Sequence, residues 1–492
     1  MVIGLIAVPV FVGKLTPEGY GVWVLVSSLS GYFSLVQMGV GPALVKYVSE
    51  YNAKGDMEAV SGTMSAGIAF TALAGTVAGG VIVLAAPFLI YALRVPDSLY
   101  AESVLSAKIA GGSFVFSLLS NDFVAVFSGL QRFDISNKYT TLKSLLTTLL
   151  NYILVVADYH LLGMAVGTAL INVLGVVGAV ILLRRLFPTY RFSPRAAFKH
   201  VKTIFSFGIF SFISQIATVM TTRFPELVIG FILGPASVTY FSVAKKLVAV
   251  FTTGTSQAAS VMFPLASELV AQGEREKIQR TYLKAVRYFM VFSAPFYITF
   301  SYLSWNILAA WVGPAFANDA SAVMSILSLS YLIASLTVIP AHFLRGFGKV
   351  QFIAKFSVGI AVVSAVMLYP LTATFGVVGT AFAVLLTQVI SLIYIAYAAK
   401  LIGVGVWNFS KTAFSPVLLS LLGGIPFLFI NSLFLIDSSS SRVLMLLPVI
   451  IYLLCYALCC YFWPGSLGHE IRTSVLTLQF FDQFRRRIPR ND

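Results

Sequence analysis

Four charged residues stand near one another in a stretch of chain that is otherwise apolar: Arg223 and Glu226, followed by Lys245 and Lys246. Arg223 and Glu226 are three apart and share a helical face, and Pro225 between them removes a backbone donor and favours a kink. Counted back from the turn at Gly234 at 1.5 Å per residue, the pair lies about 12 to 17 Å along its helix. Lys245 and Lys246 lie at similar depth on the next, antiparallel helix. The four are net positive. Such a cluster suits an anion that must leave water, because Arg and Lys supply charge-assisted hydrogen bonds to its oxygens. The plainer reading is an ion pair, Glu226 with Arg223 or a lysine, that only holds two helices together. Adjacent helical residues point about 100° apart, so the two lysines are not expected to face one cavity. Arg223 and Lys246 are the stronger binding candidates and Lys245 the weaker. Asp122, beside Asn121, is the other notable acid within an apolar run. It suits a coupling proton or cation, and it equally suits a hydrogen bond from a neighbouring helix.

These charges matter because of what surrounds them. Hydrophobic residues make up 58% of the 492 and charged residues only 10%, with a mean hydropathy of +0.91. A soluble domain carries about 45–50% apolar and about 25% charged residues. Apolar runs beyond 18 residues recur throughout, and helices satisfy the backbone of such runs in lipid. A charge at the centre of a membrane helix costs ~2.5 to 3.5 kcal/mol, so it is rare without a partner or a water-filled cavity. The expected fold is an all-α polytopic membrane protein. Helices are expected near 1–15, 20–44, 62–93, 103–130, 140–158, 161–183, 204–233, 237–265, 281–311, 320–344, 355–374, 376–399, 412–435 and 443–463, about fourteen in all. The first, which contains Pro9, is too short to span and reads as truncated. It has no basic leading segment or small-residue cleavage site, so a removable signal peptide is not expected.

Charge placement orients these helices. With the N-terminus in the cytoplasm, only Lys14, Arg94, Lys108 and Arg442 of the 33 Lys and Arg fall outside, and Arg223, Lys245 and Lys246 fall within the membrane. All the others fall inside, a strong positive-inside bias that one missing helix would scramble. Both termini are therefore expected on the cytoplasmic side of the inner membrane. The net charge of +15 is explained by topology, and nucleic acid is not an expected partner.

The chain also echoes itself. Leu15, Pro17, Leu29, Phe33, Ser49, Glu50 and Gly55 recur 218 residues later as Leu233, Pro235, Leu247, Phe251, Ser267, Glu268 and Gly273, and Gly167-Thr168-Ala169 returns as Gly379-Thr380-Ala381. An even number of helices separates each element from its echo, so the repeats are parallel, about an axis along the membrane normal. The expected organisation is a six-helix lobe over 1–183, a basic linker over 184–203, a second six-helix lobe over 204–400, two further helices over 401–463 and a basic tail over 464–492. The linker, with Pro188 and Pro194, also reads as a simple anchor near anionic lipid.

The run Gly13-Lys-Leu-Thr-Pro-Glu-Gly-Tyr-Gly21, then Gly39-Val-Gly41 and Lys46-Tyr-Val-Ser-Glu-Tyr-Asn-Ala-Lys-Gly-Asp56, resembles the opening of the polysaccharide-biosynthesis flippases. These belong to the multidrug/oligosaccharidyl-lipid/polysaccharide (MOP) exporter superfamily. Gly230-Phe-Ile-Leu-Gly-Pro-Ala-Ser-Val-Thr-Tyr240 is similar to that family's second-half opening, and Gly376-Val-Val-Gly-Thr-Ala381 also fits. The resemblance implies a MATE-like fold of two lobes that rock about a central site. It implies transfer of a polyprenyl-diphosphate-linked oligosaccharide from the cytoplasmic to the outer face, with H+ or Na+ as coupling ion and glycan-assembly enzymes and membrane lipids as partners. On that footing Arg223, Lys246, Glu226 and Lys245 are the expected diphosphate site and Asp122 the expected coupling acid. Tyr32, Gln37, Gln215, Asn306 and Gln388 are candidates to touch sugar hydroxyls, and His342 and Arg345 to line a vestibule at the inner end of their helix, where an Arg also commonly snorkels to the interface.

No enzyme, cofactor or metal site is expected. The chain has no Gly-x-x-x-x-Gly-Lys-Ser/Thr loop. His160, His200, His342 and His469 are scattered, and Cys455, Cys459 and Cys460 all fall in the last helix without metal-site spacing. Two alternatives stay open: a cation-coupled multidrug or metabolite exporter of the same superfamily, and a membrane polymerase or ligase of lipid-linked glycans. The short outside connections argue against the second, which needs acceptor-binding loops.

Overall fold

The computed structural model describes residues 2–188, 192, 200–201, 203–204, 212–213, 215–433 and 447–462, and every regular element among them is helical. In chain order these are α1 Val2–Phe33, α2 Val40–Ala53, α3 Met57–Ala92, α4 Asp97–Gly129, α5 Phe133–Val156, α6 His160–Leu186, α7 Gln215–Thr222, α8 Phe224–Leu233 and α9 Pro235–Ala259. There follow α10 Met262–Gln272, α11 Arg275–Tyr302, α12 Ser304–Trp311, α13 Pro314–Gly346, α14 Val350–Ile390, α15 Leu392–Ile402, α16 Val406–Leu433 and α17 Leu447–Phe462. Of the expected linker, residues 189–191, 193–199 and 202 lie outside the described residues, as does the expected tail over 464–492 with His469.

Among the described residues seven helices are long and apolar enough to cross a membrane, or eight if α7 and α8 form one bent span. The count is not that of the fourteen expected, because Gly4–Gln37 and Val350–Ile402 each enter it as one span although each is broken close to a boundary expected between two helices. Thr16 breaks α1 with φ 61° and ψ 165°, and Gly376 breaks α14 with φ 62° and ψ −144°. The expected helix over 20–44 instead ends at Phe33, passes through a 3-10 turn at Ser34–Gln37, and restarts as α2 once Met38 and Gly39 adopt positive φ. The expected helix over 281–311 begins earlier, at Arg275, and divides at Leu303.

The 218-residue echo is present in the backbone. Thr16 and its counterpart Gly234 (φ 87°, ψ 177°) both leave the helix immediately before a proline, Pro17 and Pro235. Proline excludes the preceding residue from the α region, and its own missing N–H is tolerated at the start of the next helical segment. Gly55 and Gly273 both take φ 71°, and α3 and α11 begin two residues later, at Met57 and Arg275. The caps differ in detail: Asp56 accepts from Ala59 N at 2.9 Å, whereas Glu274 makes no such side-chain bond.

The chain divides into two compact units, one of Met1–Leu247 with Gln351–Thr387 and one of Val248–Val350 with Gln388–Asp492. In the first, α2, α3, α4 and α6 enclose a core of Leu44, Val48, Met64, Phe127 and Leu183. α3 and α4 approach closely at Gly79 and Gly111, where a Cβ on Gly79 would fall 2.5 Å from the Gly111 oxygen. In the second, Tyr282 is buried between Phe343 and Phe409, and Tyr456 on α17 donates to the Val291 carbonyl of α11 at 2.9 Å. Large apolar residues such as Leu84, Phe88, Val366 and Trp407 are exposed, while small hydroxyls such as Thr63, Ser65, Ser106 and Ser120 are buried. Apolar faces turned outward and small polar residues packed inside are the signature of helices in lipid, and the protein is a multi-pass membrane protein.

Candidate functional site

Pro225 sets the local geometry. It cannot donate to the preceding turn, and α7 and α8 meet at 41° with Arg223 at the junction. Glu226 falls in the first turn of α8, where free backbone amides favour an acid, and its side chain is 5% exposed. Both carboxylate oxygens are engaged. Lys245 Nζ donates to Oε1 at 3.0 Å and Ser28 Oγ, from α1, donates to Oε2 at 2.5 Å. Lys245 Nζ also donates to the Thr222 carbonyl at the bend and stands 5.7 Å from the centre of the Phe241 ring.

Arg223 is held differently. Its Nη1 is 3.9 Å from Glu226 Oε2, too long for a hydrogen bond, and its side chain is 48% exposed. Its stem runs over Gly31 of α1, where a Cβ would sit 3.5 Å from Nε. Three of the four predicted residues are thus brought together. Within the three, Lys245 and Glu226 neutralise one another and Arg223 keeps donors of its guanidinium open. Lys246 is exposed and makes no ion pair among the described residues.

Asp122 is fully buried on α4. Its Oδ1 accepts from Gln37 Nε2 at 3.0 Å, and the same amide reaches the Leu118 carbonyl at 3.3 Å. Oδ2 is buried beside the Thr71 hydroxyl, which is buried too. No lysine or arginine pairs with this acid among the described residues. Gln37 lies in the 3-10 turn that extends α1, so one element touches both the cationic cluster, through Ser28 and Gly31, and the buried acid.

A third feature on α1 was not anticipated. A cavity of about 150 Å³ lies between α1, α4 and α6, lined by Trp23, Ser27, Ser30, Ser117, Thr168 and Asn172 among others. The signal was available: hydroxyl and amide residues at helical spacing, Ser27 with Ser30, Ser113 with Ser117 and Thr168 with Asn172, each mark one face of a helix. Of the residues named for sugar contacts, Gln37 is occupied by Asp122, and the Tyr32 hydroxyl is buried without a hydrogen bond. Gln215 is half-buried on α7, and Asn306 and Gln388 belong to the second unit. His342, with its Nδ1 buried and unbonded, and Arg345 are also in the second unit. Among the described residues no group of three or more His, Cys, Asp or Glu could hold a metal ion.

The family described as polysaccharide biosynthesis protein matches residues 14–318. The membrane protein EpsK of Bacillus subtilis (strain 168) is 22% identical over 344 residues, which cover 68% of this chain and 66% of that protein, just under two thirds of its length. A Shigella flexneri protein named as an O-antigen transporter is 18% identical over 380 residues, covering 77% of this chain and 89% of its own. Among solved structures, the lipid II flippase MurJ in an inward closed conformation superposes with a TM-score of 0.70 at 13% identity, covering 98% of this chain and 97% of that one. At that identity the likeness shows a common fold.

Proposed function

The chain belongs to the polysaccharide biosynthesis protein family, and from that premise we propose that it flips a polyprenyl-diphosphate-linked oligosaccharide from the cytoplasmic to the outer face of the inner membrane by alternating access. The observation that carries the reading is Arg223. It is a half-exposed guanidinium, braced over Gly31, beside an ion pair that already satisfies itself. A planar guanidinium presents paired donors that match phosphate oxygens, and Glu226 beside it moderates the local positive charge so that the anion can also leave. Lys246, exposed and unpaired among the described residues, supplies a second cation to the headgroup. The hydroxyl-lined cavity with Trp23 offers hydrogen bonds and an aromatic face, which suit a sugar rather than a cationic drug. The prenyl tail stays in lipid.

In this reading the two parallel lobes, 1–183 and 204–400, rock about the linker over 184–203, the two helices over 401–463 complete fourteen spans, and both termini lie in the cytoplasm. Asp122 carries the coupling H+ or Na+. Glycan-assembly enzymes deliver the substrate, and the protein itself performs no chemistry on it.

The test is headgroup translocation of a polyprenyl-diphosphate oligosaccharide in reconstituted vesicles under an imposed ion gradient. Arg223→Ala and Lys246→Ala should each lower the rate about tenfold or more, the loss expected when about 1.4 kcal/mol of headgroup binding is removed. Native transfer no faster than empty vesicles across several glycan donors overturns the proposal and transfers weight to drug or metabolite export.

A further inference from the structure

The face of the first unit formed by α5 and α6 carries a groove that the transport reading does not use. It encloses about 470 Å³ and is lined by Leu142, Leu146, Leu174 and Ile181, with Lys138 and Arg185 toward the end where α5 begins and α6 finishes and Lys143 about 7.5 Å further along α5 than Lys138. From Ile135 to Leu146 the groove follows α5 for about 16 Å at 1.5 Å per residue, close to half of a ~30 Å hydrocarbon core. It therefore has the length of one leaflet.

Its charge is one-sided. No acid lines the groove, and none of its three cations has an ion-pair partner among the described residues. The nearest acid in sequence, Asp134, is already held by two bonds from Arg132, at 3.0 and 3.1 Å. Lys143 sits about 15 Å into α5, far enough that a bare ammonium facing hydrocarbon is unfavourable. Its stem is packed against α6 at Gly175, where a Cβ would lie 3.4 Å from both Cδ and Cε.

We propose that this groove binds one anionic phospholipid of the adjoining leaflet, an acyl chain lying along Leu142, Leu146, Leu174 and Ile181 and the phosphodiester held by Lys138, Lys143 and Arg185. Basic pockets between membrane helices at one face bind anionic headgroups in this manner. The occupant is a structural lipid and not the transported one, since the site is on a single helix pair and Arg223 is not part of it.

The purified full chain in neutral detergent, titrated with phosphatidylglycerol and with phosphatidylcholine of identical acyl chains and read by native mass spectrometry, tests this directly. Phosphatidylglycerol should bind in preference, and Lys143→Gln and Arg185→Gln should each weaken it about fivefold while leaving phosphatidylcholine unchanged. Gly178→Leu, at a position where a Cβ meets nothing within 4 Å, should fill the groove and reduce adducts of both lipids at unchanged thermal stability. If that variant fails to fold, the two charge variants decide alone. Equal binding of the two lipids by the native chain, or a preference that survives both charge substitutions, overturns the proposal. So does displacement of phosphatidylglycerol by an equal concentration of polyprenyl phosphate, which would make the groove a substrate site. Arg223→Ala should leave every lipid adduct intact, so the outcome is independent of whether the chain flips glycans.

Discussion

The sequence ranks Arg223 above Lys245 as a binding cation only on helical direction, and the structure separates them by what each already touches. Lys245 is spent on Glu226 and the Thr222 carbonyl, whereas Arg223 is half open. Glu226→Gln should therefore act on stability: it leaves Lys245 largely buried without a counter-charge, which costs about 3 kcal/mol when a buried pair is broken on one side. Adding Lys245→Met should recover much of the loss, and thermal unfolding of the two single variants and the double variant measures the coupling. Arg223→Gln should behave the opposite way, with near-native stability and lost transfer, because a contact at 3.9 Å on an exposed side chain contributes little to folding. Asp122 gives a separate prediction. In Asp122→Asn the amide oxygen can still accept from Gln37, so the fold should persist while transfer no longer responds to the ion gradient. A gradient response equal to the native one would leave Asp122 a structural acceptor only. An ion pair of Glu226 with a lysine and a hydrogen bond to Asp122 from a neighbouring helix were both legible in the sequence; the partners Ser28 and Gln37 were not, since they are ordinary polar residues until the fold sets one against Glu226 and the other against Asp122.

At the scale of elements, the sequence was most informative where proline and glycine punctuate it. Pro17 and Pro235 mark corresponding helix starts, and Gly55 and Gly273 mark corresponding turns. It was least informative about how a helix changes direction: Gly39, Gly41 and Pro42 signal a break within 20–44, but nothing there reveals that Met38 turns left-handed beside Gly39 after a 3-10 turn. Thr16 occupies the place that Gly234 fills in the echo, a positive φ that a β-branched residue adopts only under strain. Thr16→Gly should accordingly raise stability by about 1 kcal/mol, read as a higher Tm, and Gly234→Thr should lower it. Close by, Thr239 Oγ1 donates to the Pro17 carbonyl at 2.5 Å, and a Cβ on Gly21 would collide with the Pro235 oxygen. Repeat-related helix starts therefore lock together within the first unit. Gly21→Ala should break that contact, which a disulfide-trapping rate between cysteines placed on α1 and α9 would report as a fall.

For the whole molecule, the positive-inside distribution makes a prediction about sidedness that is independent of substrate. Every turn between long helices alternates sides, so a single inverted assignment would exchange Lys54 and Gln131 with Asp97 and Asp158. All four are exposed at helix ends or turns. With Cys455, Cys459 and Cys460 replaced, single cysteines at Lys54, Gln131 and Lys349 should react with an impermeant maleimide only in inside-out vesicles, and those at Asp97 and Asp158 only in right-side-out ones. The Lys14–Asp158 pair at 2.8 Å supports placing the α5–α6 turn on the side opposite Lys54, since it ties that turn to the break in α1, one helical pass away from α2's end. Labelling of Lys54 and Asp158 from the same side would contradict the parallel arrangement of the repeats, because an odd number of spans would then separate Gly55 from Gly273. The route from the cytoplasmic face past Arg223 would have to be redrawn, even with the cluster intact.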